Sequence, residues 1–190
     1  MALGWQSVRL TARGVDSRAV VVKRLRPKIL ERSPAAQGWY VFPERGGGLD
    51  VRSFAADLDE PSPVAFLVSE ARGKDLPQPT ATYDFSVTQS DVESWELTVF
   101  TTAGVVRWML EVDYEISGQH RTKALHDSRF VLTGEGPGQW AFSWDGVDAW
   151  QDMGERREDV SRVARYLRER LKEADRPRRT PPECVNGHES

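Results

Sequence analysis

A chain of 190 residues, 39% hydrophobic and 29% charged, has room for one ordinary domain and an appendage. Its mean hydropathy of -0.55 is that of a globular chain and not of a membrane, collagenous or disordered one. No run approaches the roughly 18 apolar residues of a membrane helix. The opening, MALGWQSVRL, lacks the basic and apolar regions of a secretory signal. Cys184 is the single cysteine, which excludes an intrachain disulfide and a cysteine metal cluster. The cytoplasm is the expected compartment.

The net charge of -3 is unevenly spread. Residues 1–32 are net +6, residues 33–154 net -11 and residues 155–190 net +2. An acidic middle repels phosphates, so nucleic acid is not an expected partner there. The only anion-facing candidate is the basic opening. Arg18, Lys23, Arg24, Arg26, Lys28 and Arg32 fall partly on alternate positions, which one exposed strand face also explains.

Strand signals run to about Trp150, because side chains at period two line one face of a sheet. Val8 and Leu10 begin the pattern. Val20 to Ile29 is β-branched and basic, and Pro27 marks it as an edge or a bend. Trp39 to Phe42 is a short aromatic strand closed by Pro43 and the turn run Arg45-Gly46-Gly47-Gly48. Leu49 to Leu58 and Val64 to Val68 flank the acidic turn DLDEPSP, and the Pro-rich GKDLPQP follows. Tyr83, Phe85 and Val87 alternate with polar partners, as do Trp95, Leu97 and Val99. The clearest pattern is Val106, Trp108, Leu110, Val112, Tyr114 and Ile116, with charged residues between most of them. It reads as a long strand with one face on the core and the other in water. A turn at Ser117-Gly118 leads to short strands at Phe130 to Leu132 and Trp140 to Trp144, split by GEGPG.

After Trp150 the period becomes helical. Met153, Val160, Val163, Ala164, Leu167 and Leu171 form one stripe, and Asp175-Arg176-Pro177 ends it. The expected fold is mainly β: an antiparallel β-sandwich, Ig-like or jelly-roll-like, over residues 1–150. A C-terminal amphipathic helix within 151–176 and a disordered tail at 177–190 complete it.

Candidate chemistry is sparse. A hydrolytic set needs nucleophile, base and orienter together. His120 and His126, with Asp113 and Asp127 near them in sequence, come without a nucleophile elbow. Exposed loop histidines explain them, as against a two-histidine, one-carboxylate metal site. Asp57, Asp59 and Glu60 could offer oxygens to calcium, but the spacing is not that of a calcium loop. The glycine runs at 46–48 and 134–138 lack the Lys-Ser/Thr and the helix start of a phosphate loop. Trp95 and Trp108 belong on core faces. Trp140, Trp144 and Trp150 could instead form a platform for a sugar or another small molecule. The helix carries arginines beside a narrow stripe, making Arg162, Arg165, Arg168, Leu167 and Leu171 the candidate partner-binding residues. No catalytic set, cofactor or metal is expected.

The stretches RAVVVKRLRPKILERSP, GGGLDVRSFAADLDEPSPV, YDFSVTQSDVESWELTVFT and VVRWMLEVDYEISGQHRTKALHD resemble a family of uncharacterised actinobacterial proteins. In these a β-rich module occurs alone or behind a helix-turn-helix or membrane-anchored segment. The resemblance covers roughly Val8 to Thr133. The family often carries closely spaced cysteines before the tryptophan strand, where this chain has Thr102-Ala103-Gly104-Val105. What the resemblance implies is an all-β accessory or sensory domain with no assigned activity, and it transfers no functional residue. The sequence therefore points to a non-enzymatic interaction or regulatory module working through a sheet edge or the arginine-rich helix. Its partner would be another protein or a second copy. The alternative is a ligand-binding sandwich using the tryptophan cluster.

Overall fold

The structure, a computed structural model, describes residues 2–35, 38–43, 51–70, 74–81, 83–125, 130–134, 139–144, 150–152 and 157–174. In chain order the strands are β1 (Ala2–Leu3), β2 (Trp5–Ala12), β3 (Val20–Ser33), β4 (Gly38–Pro43), β5 (Arg52–Asp57), β6 (Phe66–Glu70) and β7 (Lys74–Thr80). There follow β8 (Phe85–Val87), β9 (Glu93–Phe100), β10 (Val105–Ile116), β11 (Gln119–Ala124), β12 (Phe130–Thr133), β13 (Gln139–Trp144) and β14 (Trp150–Asp152), then the helix α1 (Arg157–Ala174). Two sheets pack together, with one helix near the C-terminus, as the change of period predicts.

The first sheet has the order β1-β12-β10-β3-β8, with β11 pairing the far half of β10. The second has the order β2-β9-β5-β6-β7, and a small third sheet has the order β14-β13-β4. Most pairs are antiparallel. The exceptions are β1 with β12, β4 with β13 and β5 with β9, which join strands distant in sequence. Such pairs need long connections, so no hairpin signal announces them.

The core lies between the two sheets and follows the period-two residues. Val106, Trp108 and Leu110 of β10 face Trp95, Leu97 and Val99 of β9, and all six are buried. Trp108 stacks on Phe130 at 4.5 Å between ring centroids. Phe54, Tyr83, Phe85 and Trp95 form a second aromatic group, with neighbouring centroids 4.9 to 6.0 Å apart. The turn at Ser117-Gly118 closes a two-residue hairpin between β10 and β11, with φ of 50° and 76°. Positive φ at both positions is the mirror-image turn that suits strand twist, and glycine adopts it without strain.

Pro27 lies in a strand that is central in order yet open beside it. β8 pairs only Val20 to Val22 of β3, so the rest of that edge has no strand neighbour among the described residues. At Leu25 other groups satisfy the backbone. Leu25 N–H donates to the Tyr83 hydroxyl at 2.5 Å, and Leu25 C=O accepts from Ala65 N–H at 3.1 Å. Arg32 donates to the carbonyls of Leu58 and Glu60. The segment 58–65, which carries the acidic turn, thus covers the open edge of β3.

Candidate functional site

The outer face of the second sheet is apolar at one end, because β5 is buried on both of its faces. Phe54 and Ala56 point to the core, while Ala55 joins Trp5, Phe66, Val68 and Phe100 on the other side. The helical stripe covers this patch: Ala164, Leu167 and Leu171 pack on it, and Ala164 and Leu171 are buried. Small side chains at Ala55 and Ala164 let helix and sheet approach closely. Among the described residues, no helix is long and apolar enough to cross a membrane.

One turn of helix brings Arg168 beside the stripe and over the end of β5. Its Nε and Nη2 donate to the two carboxylate oxygens of Asp57 at 2.5 and 2.8 Å, a fork-to-fork pair. Nη2 also reaches Asp59 Oδ2 at 2.5 Å, and Nη1 donates to the Thr102 hydroxyl. Asp59 accepts in addition from the Thr101 hydroxyl and from both the amide and hydroxyl of Thr102. Asp57 Oδ1 accepts the Asp59 amide. Burial alone would raise the Asp59 pKa, but the bonds from Thr101, Thr102 and Arg168 outweigh it and hold the carboxyl below its usual range. The bonds from Asp57 push Arg168 upward. Arg170 adds a second clamp, donating to the Leu76 carbonyl at 2.8 Å.

The acidic turn that sequence offers to calcium is therefore occupied by a guanidinium. Among the described residues, no group of three or more His, Cys, Asp or Glu side chains is placed to hold a metal ion. A cleft of about 220 Å³ adjoins the cluster, lined by exposed Glu60, Ser62 and Lys172 and by the less exposed Val64, Phe66 and Leu171.

Of the five helix residues singled out by sequence, Leu167, Arg168 and Leu171 make their contacts within the chain. Arg165 is exposed, as is Tyr166 beside it. The Arg162 side chain lies outside the described residues. So do the side chains of Trp140, Trp144 and Trp150, which the platform reading needs, although their backbones lie in β13 and β14. His120 is exposed on β11, while His126, Asp127, Met153 and residues 177–190 lie outside the described residues. Asp113 is not available to a histidine cluster. It pairs with Arg26 at 2.8 Å and accepts from Thr122 at 2.6 Å.

The basic opening is matched across the first sheet, since β10 pairs antiparallel with β3, with irregularities at Arg107/Trp108 and Asp113/Tyr114. Arg26 and Lys28 reach Glu111, and Lys23 reaches Asp84 and Glu115. Arg18 is held by Asp16. Partly exposed pairs of this kind contribute little stability, about 0 to 1 kcal/mol each, yet they remove the run of free cations that a phosphate backbone would need.

The strand edges are guarded unequally. β7 carries Pro77 and Pro79, which cannot donate to an added strand. β11 exposes His120, Arg121 and Lys123, and β1 and β8 are two and three residues long. β2 is different. It is eight residues long, carries Arg9 as its one charge, and among the described residues pairs only with β9. Compared with protein families, with curated proteins and with solved structures, the chain finds no match.

Proposed function

We propose that the chain is a non-enzymatic protein-interaction module, acting in the cytoplasm as an accessory or regulatory domain, and that it takes a partner strand along the edge of β2. The observation that carries this reading is the contrast among the edges of the two packed sheets. Among the described residues the long edge of β2 from Gln6 to Ala12 has no strand beside it, whereas prolines, charges or shortness protect the other edges of the two packed sheets. An added strand is held by main-chain hydrogen bonds, and its alternate side chains give selectivity.

The helix contributes a margin to that edge. α1 contacts both β2 and β7, and Arg170 ties its C-terminal half to the Leu76 carbonyl of β7. Exposed Arg165 belongs to this margin, with Arg162 one turn before it in the backbone. The inner stripe, including Leu167 and Leu171, serves to hold the helix in place.

A photo-crosslinking residue in place of Arg9, on the β2 edge, is expected to give discrete adducts in native lysate. The same residue in place of Arg107, on the first sheet, is expected to give few. Arg9→Pro should reduce recovery of the partner by at least about tenfold, as expected when an edge donor and its geometry are lost. Near-UV circular dichroism establishes that the variant is folded. Equal adducts from both positions, or recovery unchanged by the proline, would contradict the edge reading.

A further inference from the structure

At one end of the sandwich the loop after β2 and the loop between β8 and β9 are locked together. Gly14 N–H donates to Thr88 C=O at 3.0 Å, and Gln89 N–H donates to Asp16 C=O at 3.2 Å. A Cβ at Gly14 would stand 2.7 Å from the Thr88 carbonyl carbon, so only glycine permits this approach. Between the loops lies a depression of about 500 Å³ lined by Arg13, Ser17, Thr88, Gln89 and Ser90.

Three features fit this depression to a tetrahedral oxyanion. First, Arg13 is oriented by its Nε, which donates to Gln89 C=O at 3.1 Å. That leaves its two terminal amino groups as a fork for paired N–H···O bonds, the geometry that suits phosphate. Second, Asp16, the acid in the same loop as Arg13, does not neutralise it. Both oxygens of Asp16 accept from Arg18, at 2.9 Å from the amide and at 3.0 and 2.7 Å from the guanidinium. Third, Ser17 and Ser90 set further hydroxyls around the same space, that of Ser90 lying 3.3 Å from the Thr88 hydroxyl, from which it can accept while donating outward, and Val15, 91% exposed, stands in the same loop.

We propose that this loop-end depression binds a phosphate group, with Arg13 as the bidentate anchor and Ser17 and Ser90 as flanking donors. The site is separate from the β2 edge, so either assignment can fail without the other. Free inorganic phosphate and a phosphate monoester share this chemistry, and Val15 would favour the ester through apolar contact.

The test is an amide-resolved NMR titration of the full chain with inorganic phosphate and with phenyl phosphate, against chloride at equal ionic strength. Saturable shifts confined to residues 13–18 and 88–91 are expected, with a Kd of about 1 mM, weakened at least about tenfold by Arg13→Gln. Ser17→Ala, an exposed change that should not disturb folding, is expected to weaken binding about threefold, through loss of a single hydrogen bond. Tighter binding of phenyl phosphate assigns the site to esters, and tighter binding of inorganic phosphate assigns it to the free anion. Shifts that do not saturate, that chloride reproduces, or that survive Arg13→Gln unchanged would overturn the proposal.

Discussion

A chain ending after Asp152, and so lacking α1, is expected to lose cooperative folding at 37 °C. The helix places Leu167 and Leu171 on the second sheet, and burying large apolar side chains stabilises by about 1.5 to 3 kcal/mol each. Removing α1 also returns Phe100, Ala55 and parts of Trp5, Phe66 and Val68 to water, and leaves Asp57 without its guanidinium. A loss of about 5 kcal/mol is a large share of the roughly 5 to 15 kcal/mol that stabilises an ordinary domain. Urea unfolding followed by tryptophan fluorescence checks this. The expected result is a shallow, early transition for the shortened chain beside a steep one for the full chain.

Arg168→Met is expected to cost about 2 to 3 kcal/mol. Methionine keeps much of the apolar stem and removes the fork, so the Asp57 carboxyl, buried at the end of β5, loses its guanidinium and keeps only the Asp59 amide. Breaking a fully buried pair costs about 3 to 5 kcal/mol, and the partial exposure of Arg168 places this one lower. Combining Asp57→Asn with Arg168→Met should restore part of the loss, giving a positive coupling in the double-mutant cycle. Additive losses would show that the two side chains act separately.

The same cluster sets an acid limit. The folded-state pKa of Asp59 lies below its unfolded value of roughly 3.9. Its contribution is therefore complete above about pH 5, begins to decline as pH approaches the unfolded value and is lost as pH falls through the folded value. Arg168 stays protonated throughout, so the change belongs to the carboxyl. Asp113, also held low despite burial by its bonds to Thr122 and Arg26, adds a limb of the same sign. Asp59→Asn should flatten the fall in urea midpoint between about pH 5 and pH 2.5 without abolishing it.

Legibility in the sequence followed the range of the interactions. Period two placed β9 and β10 with Trp95, Trp108 and Leu110 in the core, and the Ser117-Gly118 hairpin and the C-terminal helix were readable from local signals. The parallel pairing of β5 with β9 was not, because it depends on a connection and not on a turn. Nor was the partner of the acidic turn, which lies 109 and 111 residues away along the chain. Two clues were present. FAAD at 54–57 is apolar on both faces, which asks for a cover on its outer side. Arg168 stands at the margin of the stripe formed by Ala164, Leu167 and Leu171, where an inward arginine meets whatever borders the covered patch. The pairing of the basic opening with Glu111, Asp113 and Glu115 could likewise be guessed from alternation, but only once the register of β3 with β10 was known.

Native-state hydrogen exchange on the full chain tests most directly whether α1 is an integral, latched part of this sandwich, with β2 as its open edge. The expected result is that amides in the second half of α1 exchange as slowly as those of β5 and β9, opening only with the whole domain. In the same record, the amides of β2 that face away from β9 should exchange far faster than those paired with it. Rapid exchange throughout α1 while β5 and β9 stay protected would contradict the account and make the helix, and not the sheet edge, the element free to dock.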